Sequence, residues 1–170
     1  MINTWNPKTD GHFINDFRGK LLKKNFLQTD IDVIVENAKD ALSKTIDPKN
    51  PNQNNETFKT NLVLGYIQSG KTTSMEAVSC LARDNGFKLM IILSGHVSNL
   101  ADQTEERVYE SLDQFGWNRI PIKSGQKPQL EKDLSLFKDL IGSDETLFIE
   151  EEEKPAGLIV LMKQHQRIGK

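Results

Sequence analysis

The stretch "LVLGYIQSGKT", residues 62–72, decides how the sequence around it is interpreted. A short apolar run ends at Gly65, four mixed residues follow, and the stretch closes with Gly70, Lys71 and Thr72. The apolar run is typical of a buried strand, and the residues from Lys71 onward follow helical spacing. Because glycine permits close backbone approach and unusual backbone angles, the two glycines favour a tight loop. The stretch therefore predicts a strand, a loop and a helix in that order.

The spacing of this loop matches the pattern G-x-x-x-x-G-K-[ST], which binds phosphate groups. In such a loop, backbone N–H groups and the positive end of the following helix face an anion. We predict that Lys71 is the catalytic residue and reaches the β and γ phosphates of ATP, while the Thr72 hydroxyl binds Mg²⁺. The structural alternative is a turn whose lysine is merely solvated. The predicted ATP-binding residues are Gly65, Tyr66, Ile67, Gln68, Ser69, Gly70, Lys71, Thr72 and Thr73.

Strand-like and helix-like stretches alternate after this loop. Residues 87–95, 119–123 and 157–162 are predicted strands, and residues 71–86, 98–116 and 127–142 are predicted helices. Alternation of this kind indicates βαβ units and a parallel sheet with helices on both faces. The predicted fold class is therefore α/β, with an incomplete parallel sheet.

The residues before the loop have a different character. Residues 29–46 have apolar side chains at helical spacing, with Thr29 as the predicted cap, and a shorter helix is predicted around Phe13 and Leu21. Residues 47–56, "DPKNPNQNNE", read as an exposed connection. We predict an N-terminal helical segment and linker over residues 1–57, and a partial nucleotide-binding domain over residues 58–170.

Composition limits the class of protein. The 170 residues have a formal net charge of −2, which argues against a wholly basic surface for nucleic acid. Cys80 is the single cysteine, so no internal disulfide can form, and the three histidines lie too far apart in sequence to favour a zinc site. No apolar run approaches the length of a membrane span. These features predict a cytoplasmic protein with no membrane partner.

A family resemblance rests on two stretches, "LVLGYIQSGKTTSM" and "DNGFKLMIILSGHVSNLADQTEERV". They resemble the first two signature regions of superfamily-two helicase-like ATPases of the DEAD/DEAH type. The layout is most similar to the bacterial putative endonuclease family that carries a Z-one domain. The resemblance implies a P-loop NTPase (RecA-like) fold, ATP and Mg²⁺ as cofactors, and DNA as a partner in DNA processing or restriction.

The same resemblance suggests a second functional region after residue 93. In such helicases, the matching residues face the nucleic-acid backbone or transmit its presence to the ATP site. The alternative for Gln103 and Arg107 is a solvated helix face beside Glu105 and Glu106. The residues of this region are Ser94, Gly95, Asn99, Gln103 and Arg107.

The sequence departs from the family pattern in its acidic residues. ATP hydrolysis requires an acidic pair at the end of another strand, and no such pair is identifiable here. Glu150 and Glu151 follow a short apolar run, but their spacing suits a charged surface loop better. We therefore expect the N-terminal portion of a longer motor protein, which binds nucleotide with little turnover and self-associates through an uncovered sheet edge.

Two other functions remain open at this stage. A P-loop kinase for a small metabolite would need an acidic acceptor site and an arginine-rich lid, for which Arg119 and Arg167 are poor evidence. A regulatory module would bind nucleotide without consuming it. The loop combined with "NLADQTEERV" favours the helicase-like or translocase ATPase.

Overall fold

The computed structural model describes residues 5–50, 71–94, 106, 108–120 and 156–162. Three helices come first: α1 (His12–Lys23), α2 (Gln28–Ser43) and α3 (Lys71–Asp84). Three strands follow: β1 (Leu89–Ser94), β2 (Trp117–Arg119) and β3 (Ala156–Met162), with a 3-10 helix (Asp113–Phe115) before β2. The chain divides into two compact units, Met1–Phe87 and Lys88–Lys170.

The first unit has α3 at its centre, because both α1 and α2 pack on it. The two predicted N-terminal helices are confirmed, and their apolar positions recur at the three- and four-residue spacing that forms one helix face. The buried apolar side chains of these helices are Phe13, Ile14, Phe17 and Leu21 on α1, and Ile31, Val35, Ala38 and Leu42 on α2.

The predicted cap of α2 is wrong. The helix begins one residue before Thr29, and Leu27 occupies the capping position without a side-chain hydrogen bond. The Leu27 carbonyl accepts the first helical bonds, from the N–H groups of Asp30 and Ile31, both at 3.1 Å. A hydroxyl can cap only from the position before the first helical turn, and Thr29 already lies within that turn.

The helix α3 ends where the sequence predicts, but it is buried more extensively. Gly86 follows the helix with a φ of 93°, the left-handed conformation expected of a glycine that ends a helix. The sequence predicts one apolar face, yet Glu76, Arg83 and Asp84 are also buried. This burial follows from the central position of α3, since α1 packs along a side of the helix that carries polar residues.

The second unit contains a parallel three-stranded sheet in the order β1-β3-β2. β1 pairs with β3 from Leu89↔Gly157 to Ser94↔Met162, and β2 pairs with β3 from Trp117↔Ala156 to Arg119↔Leu158. The parallel pairing and the late strand are confirmed. β2 begins two residues before the predicted strand at 119–123, because Gly116, with a φ of 73°, directs the chain straight from the 3-10 helix into the sheet.

A buried tyrosine, Tyr109, lies beside the described pairing of β2 with β3. Ile120 donates to the Leu158 carbonyl at 2.9 Å. Farther along β3, the Val160 N–H donates to the Tyr109 hydroxyl at 3.3 Å. The Arg119 guanidinium lies 4.3 Å from the centre of the Tyr109 ring. The Tyr109 hydroxyl therefore accepts from the Val160 N–H of β3, the central strand of the described sheet.

Several sequence predictions fall outside the described residues. They are the domain boundary near residue 57, the strand that leads into the loop, the helix at 127–142 and the acidic run at 150–153.

Within the described part of the chain, no helix has both the length and the apolar character of a membrane span. Of the described strands, β1 lies at one edge of the sheet with Ile91 and Leu93 exposed, and self-association through this edge stays a prediction.

Candidate functional site

The first turn of α3 contains the three described residues of the predicted ATP site. Lys71, Thr72 and Thr73 all have helical backbone, as the loop-to-helix pattern requires. Thr72 is exposed and Thr73 is half-buried. This turn has no acidic residue, so no carboxylate there opposes an anion at the positive end of the helix. The described residues therefore agree with the predicted change from loop to helix, and ATP binding stays a prediction.

The other predicted site residues divide between the sheet and the undescribed part of the chain. Ser94 is the last residue of β1 and pairs with Met162 at the carboxyl end of β3. Ligands of open α/β sheets bind at this end of the strands. The loop residues Gly65, Tyr66, Ile67, Gln68, Ser69 and Gly70, and the residues Gly95, Asn99, Gln103 and Arg107, lie outside the described residues.

Asp84, at the opposite end of α3, makes a buried polar contact with α1. Its carboxylate accepts hydrogen bonds from the N–H groups of Phe13 at 3.1 Å and Ile14 at 2.9 Å. These donors belong to the first turn of α1, which has no capping side chain of its own. Asp84 therefore caps α1 from another helix. Burial raises the pKa of the Asp84 carboxyl, although the two backbone hydrogen bonds oppose this effect.

The close approach of Asp84 requires a glycine before α1. A Cβ atom built on Gly11 would lie 2.2 Å from the Asp84 Cγ. The φ of Gly11 is −73°, so the backbone conformation itself would accept other residues. Glycine is needed here for space rather than for its conformational freedom.

A second polar contact joins the same two helices farther along. Lys20 of α1 donates to Glu76 of α3, with 3.0 Å between Nζ and Oε2. Only 19% of the lysine side chain and 10% of the glutamate side chain are exposed. An ion pair this buried costs desolvation energy, and removing one partner leaves an uncompensated charge. The contact therefore constrains how α1 lies on α3.

The end of α3 makes further contacts with the N-terminal segment. Asn85 accepts from the Lys8 N–H at 2.8 Å and donates to the Lys8 carbonyl at 2.9 Å. The Arg83 guanidinium lies 5.2 Å from the centre of the Phe13 ring. Cys80 is fully buried, as the sequence predicts, and burial raises the pKa of its thiol.

Sequence reasoning missed the polar contacts between α1 and α3. Asp84 precedes Asn85 and Gly86, where it reads as an ordinary helix end, and its partners lie about 70 residues earlier. The available signal is Gly11, which stands directly before a helical pattern where a capping side chain is usual. That signal indicates a missing cap without indicating which residue supplies it.

Comparison with protein-family models, with curated proteins and with solved structures gives no match. Among the described residues, no group of three histidine, cysteine or acidic side chains could hold a metal ion. The functional interpretation therefore rests on the residues themselves.

Proposed function

We propose that this chain is the ATP-binding portion of a helicase-like or translocase ATPase that acts in DNA processing or restriction. The proposal rests on one observation: the lysine and threonine of a G-x-x-x-x-G-K-[ST] pattern begin the described part of α3, whose first turn is free of acid. A phosphate-binding loop requires this junction between glycine-rich loop and helix.

Each residue has a defined part in the proposed site. The loop over residues 65–70 supplies backbone N–H groups to the phosphates, and the ammonium group of Lys71 neutralises charge on the β and γ phosphates. The Thr72 hydroxyl is the proposed protein ligand of Mg²⁺, which suits its position on the exposed first turn of α3. When bound, Mg²⁺ would polarise the terminal phosphate.

Hydrolysis needs groups that the sequence does not identify. A carboxylate must orient the attacking water and hold the shell of the metal, and Glu150 and Glu151 are weak candidates for that role. We therefore expect these 170 residues to bind ATP while turning it over slowly or not at all.

Replacing Lys71 with alanine tests the proposed site. Calorimetry with Mg-ATP is expected to show saturable binding to the wild-type chain and a loss of at least about tenfold in affinity for Lys71→Ala, because a charge-assisted phosphate contact disappears. Lys39→Ala is the control, since Lys39 lies on α2 in an exposed pair with Glu36. Equal affinity in the wild type and Lys71→Ala would contradict the assignment.

The molecule that stimulates ATP turnover distinguishes the proposed helicase-like or translocase ATPase from the two alternative functions. Turnover that DNA stimulates supports a helicase-like or translocase ATPase, whereas turnover that depends on a small phosphate acceptor supports a metabolite kinase. ATP binding with no turnover under either condition supports a regulatory module. Measuring phosphate release with duplex DNA, with single-stranded DNA and without DNA distinguishes these outcomes.

A further inference from the structure

We propose that α1 positions the phosphate-binding end of α3, and that Lys20 is the positioning residue. This inference rests on the proposed ATP site and adds a means of regulating it: nucleotide affinity depends on how firmly α1 is docked. On this view, the N-terminal helical segment is part of the nucleotide-binding machinery.

The geometry of α3 supports this link. Thr72 and Glu76 are four residues apart, so they are neighbours on the surface of α3. Glu76 contacts Lys20, and Asp84 contacts the first turn of α1. Thr72 therefore lies about one helical turn beyond the contact of Glu76 with α1, toward the start of α3.

The two polar contacts fix α1 at two separate points. Glu76 and Asp84 are eight residues apart, or about 12 Å along the axis of α3. Their partners, Lys20 and the N–H groups of Phe13 and Ile14, run in the opposite direction along α1, so the helices are antiparallel. Two contacts at this spacing define both the register and the rotation of α3 against α1. The buried Lys20–Glu76 pair is the one nearer the proposed ATP site.

Burial of this pair explains why it would influence binding rather than only stability. A paired charge with little exposure has few alternative positions, because each one leaves an unpaired buried group. Removing the Lys20 ammonium takes away this partner of Glu76, so α3 is held against α1 by one contact fewer near its first turn and can shift there. A phosphate site tolerates such movement poorly, since its N–H groups must converge on one anion.

The decisive variant is Lys20→Met, which keeps the apolar part of the side chain and removes the charge. In calorimetry with Mg-ATP, its Kd is expected to rise about fivefold or more under conditions where circular dichroism shows the variant to be fully folded. Lys20→Arg, which keeps the charge, is expected to remain close to the wild type. Lys39→Met removes a lysine from an exposed ion pair on α2 and serves as the matched control.

Coupling between α1 and the ATP site must be reciprocal. Saturating Mg-ATP is therefore expected to slow hydrogen exchange at the amides of Phe13 and Ile14, which donate to Asp84, in the wild-type chain. This measurement needs no variant, so it tests the proposal even if Lys20→Met fails to fold.

The outcomes separate the two proposals. ATP binding that leaves exchange at Phe13 and Ile14 unchanged overturns the role of α1, and so does folded Lys20→Met with wild-type affinity. In both cases the proposed ATP site stands. A wild-type chain that does not bind Mg-ATP overturns the proposed function, and the coupling with it.

Discussion

Asp84 shows how one side chain can serve a helix far away in sequence. Its carboxylate accepts from two N–H groups of α1 while it is almost completely buried, with 5% of the residue exposed. Burial favours the neutral acid and the hydrogen bonds favour the carboxylate, and burial is the larger effect. The pKa of Asp84 in the folded chain therefore lies above its ordinary value of 3.8.

This raised pKa predicts a specific pH dependence of stability. A group whose pKa is higher in the folded state binds a proton more tightly there, so its contribution is fully present below pH 3.8 and is lost as the pH rises through the folded pKa. As the pH rises from 3.8 through the folded pKa, the free energy of unfolding of the wild type is expected to fall relative to that of Asp84→Asn. Urea unfolding at a series of pH values measures this difference. A shift in favour of the wild type would mean that the hydrogen bonds outweigh burial.

At the scale of elements, α1 depends on α3 for its first turn. An isolated helix satisfies its first N–H groups with water or with its own capping residue, and α1 uses Asp84 instead. Because Gly11 leaves the space for that carboxylate, the two residues act as a pair. The effects of substitutions at Gly11 and Asp84 on the free energy of unfolding should therefore not be additive.

Substitution of two glycines tests this dependence. Gly11→Ala is expected to lower the free energy of unfolding by about 1–3 kcal/mol, because the new methyl group overlaps the Asp84 carboxylate. Gly19→Ala, within α1 and facing open space, is expected to raise it by roughly 0.5–1 kcal/mol through better helix propensity. Chemical denaturation with circular dichroism measures both changes.

A double variant isolates the cause. In an Asp84→Gly background, which removes the overlapping side chain, Gly11→Ala should cost much less than it does in the wild-type chain. An equal cost in both backgrounds would show that the effect of Gly11→Ala does not pass through Asp84.

At the scale of the whole molecule, contacts divide the chain between Phe87 and Lys88. α3, which contains Lys71 and Thr72 of the proposed phosphate site, therefore belongs to the same unit as α1 and α2 and packs on both. The sequence predicts a boundary near residue 57, which lies outside the described residues, and that boundary stays a prediction. The contacts within Met1–Phe87 nevertheless make α3 the core on which α1 and α2 pack.

Truncation tests the importance of α3 to this unit. A chain of residues 1–87 is expected to be helical and to unfold cooperatively, because it retains α1, α2 and α3. A chain of residues 1–57 lacks α3, exposes the buried faces of α1 and α2, and should lose most of its helical signal. Circular dichroism during urea titration measures both. Stable, cooperative helix in the shorter chain would show that α1 and α2 do not need α3.

By itself, the sequence determined the order of the described helices and strands, the apolar faces that α1 and α2 bury, and the phosphate-loop pattern that ends in Lys71 and Thr72. These features are local, because helical spacing, apolar runs and glycine positions act over a few residues. The prediction of a buried strand at residues 87–95 is wrong for Ile91 and Leu93, which are exposed. Only the tertiary structure decided that Asp84 caps α1, that Lys20 pairs with Glu76 and that β3 lies between β1 and β2. Those arrangements join residues 38 to 71 positions apart. No local preference encodes which distant partner satisfies a buried donor or charge, so packing of the whole unit selects it.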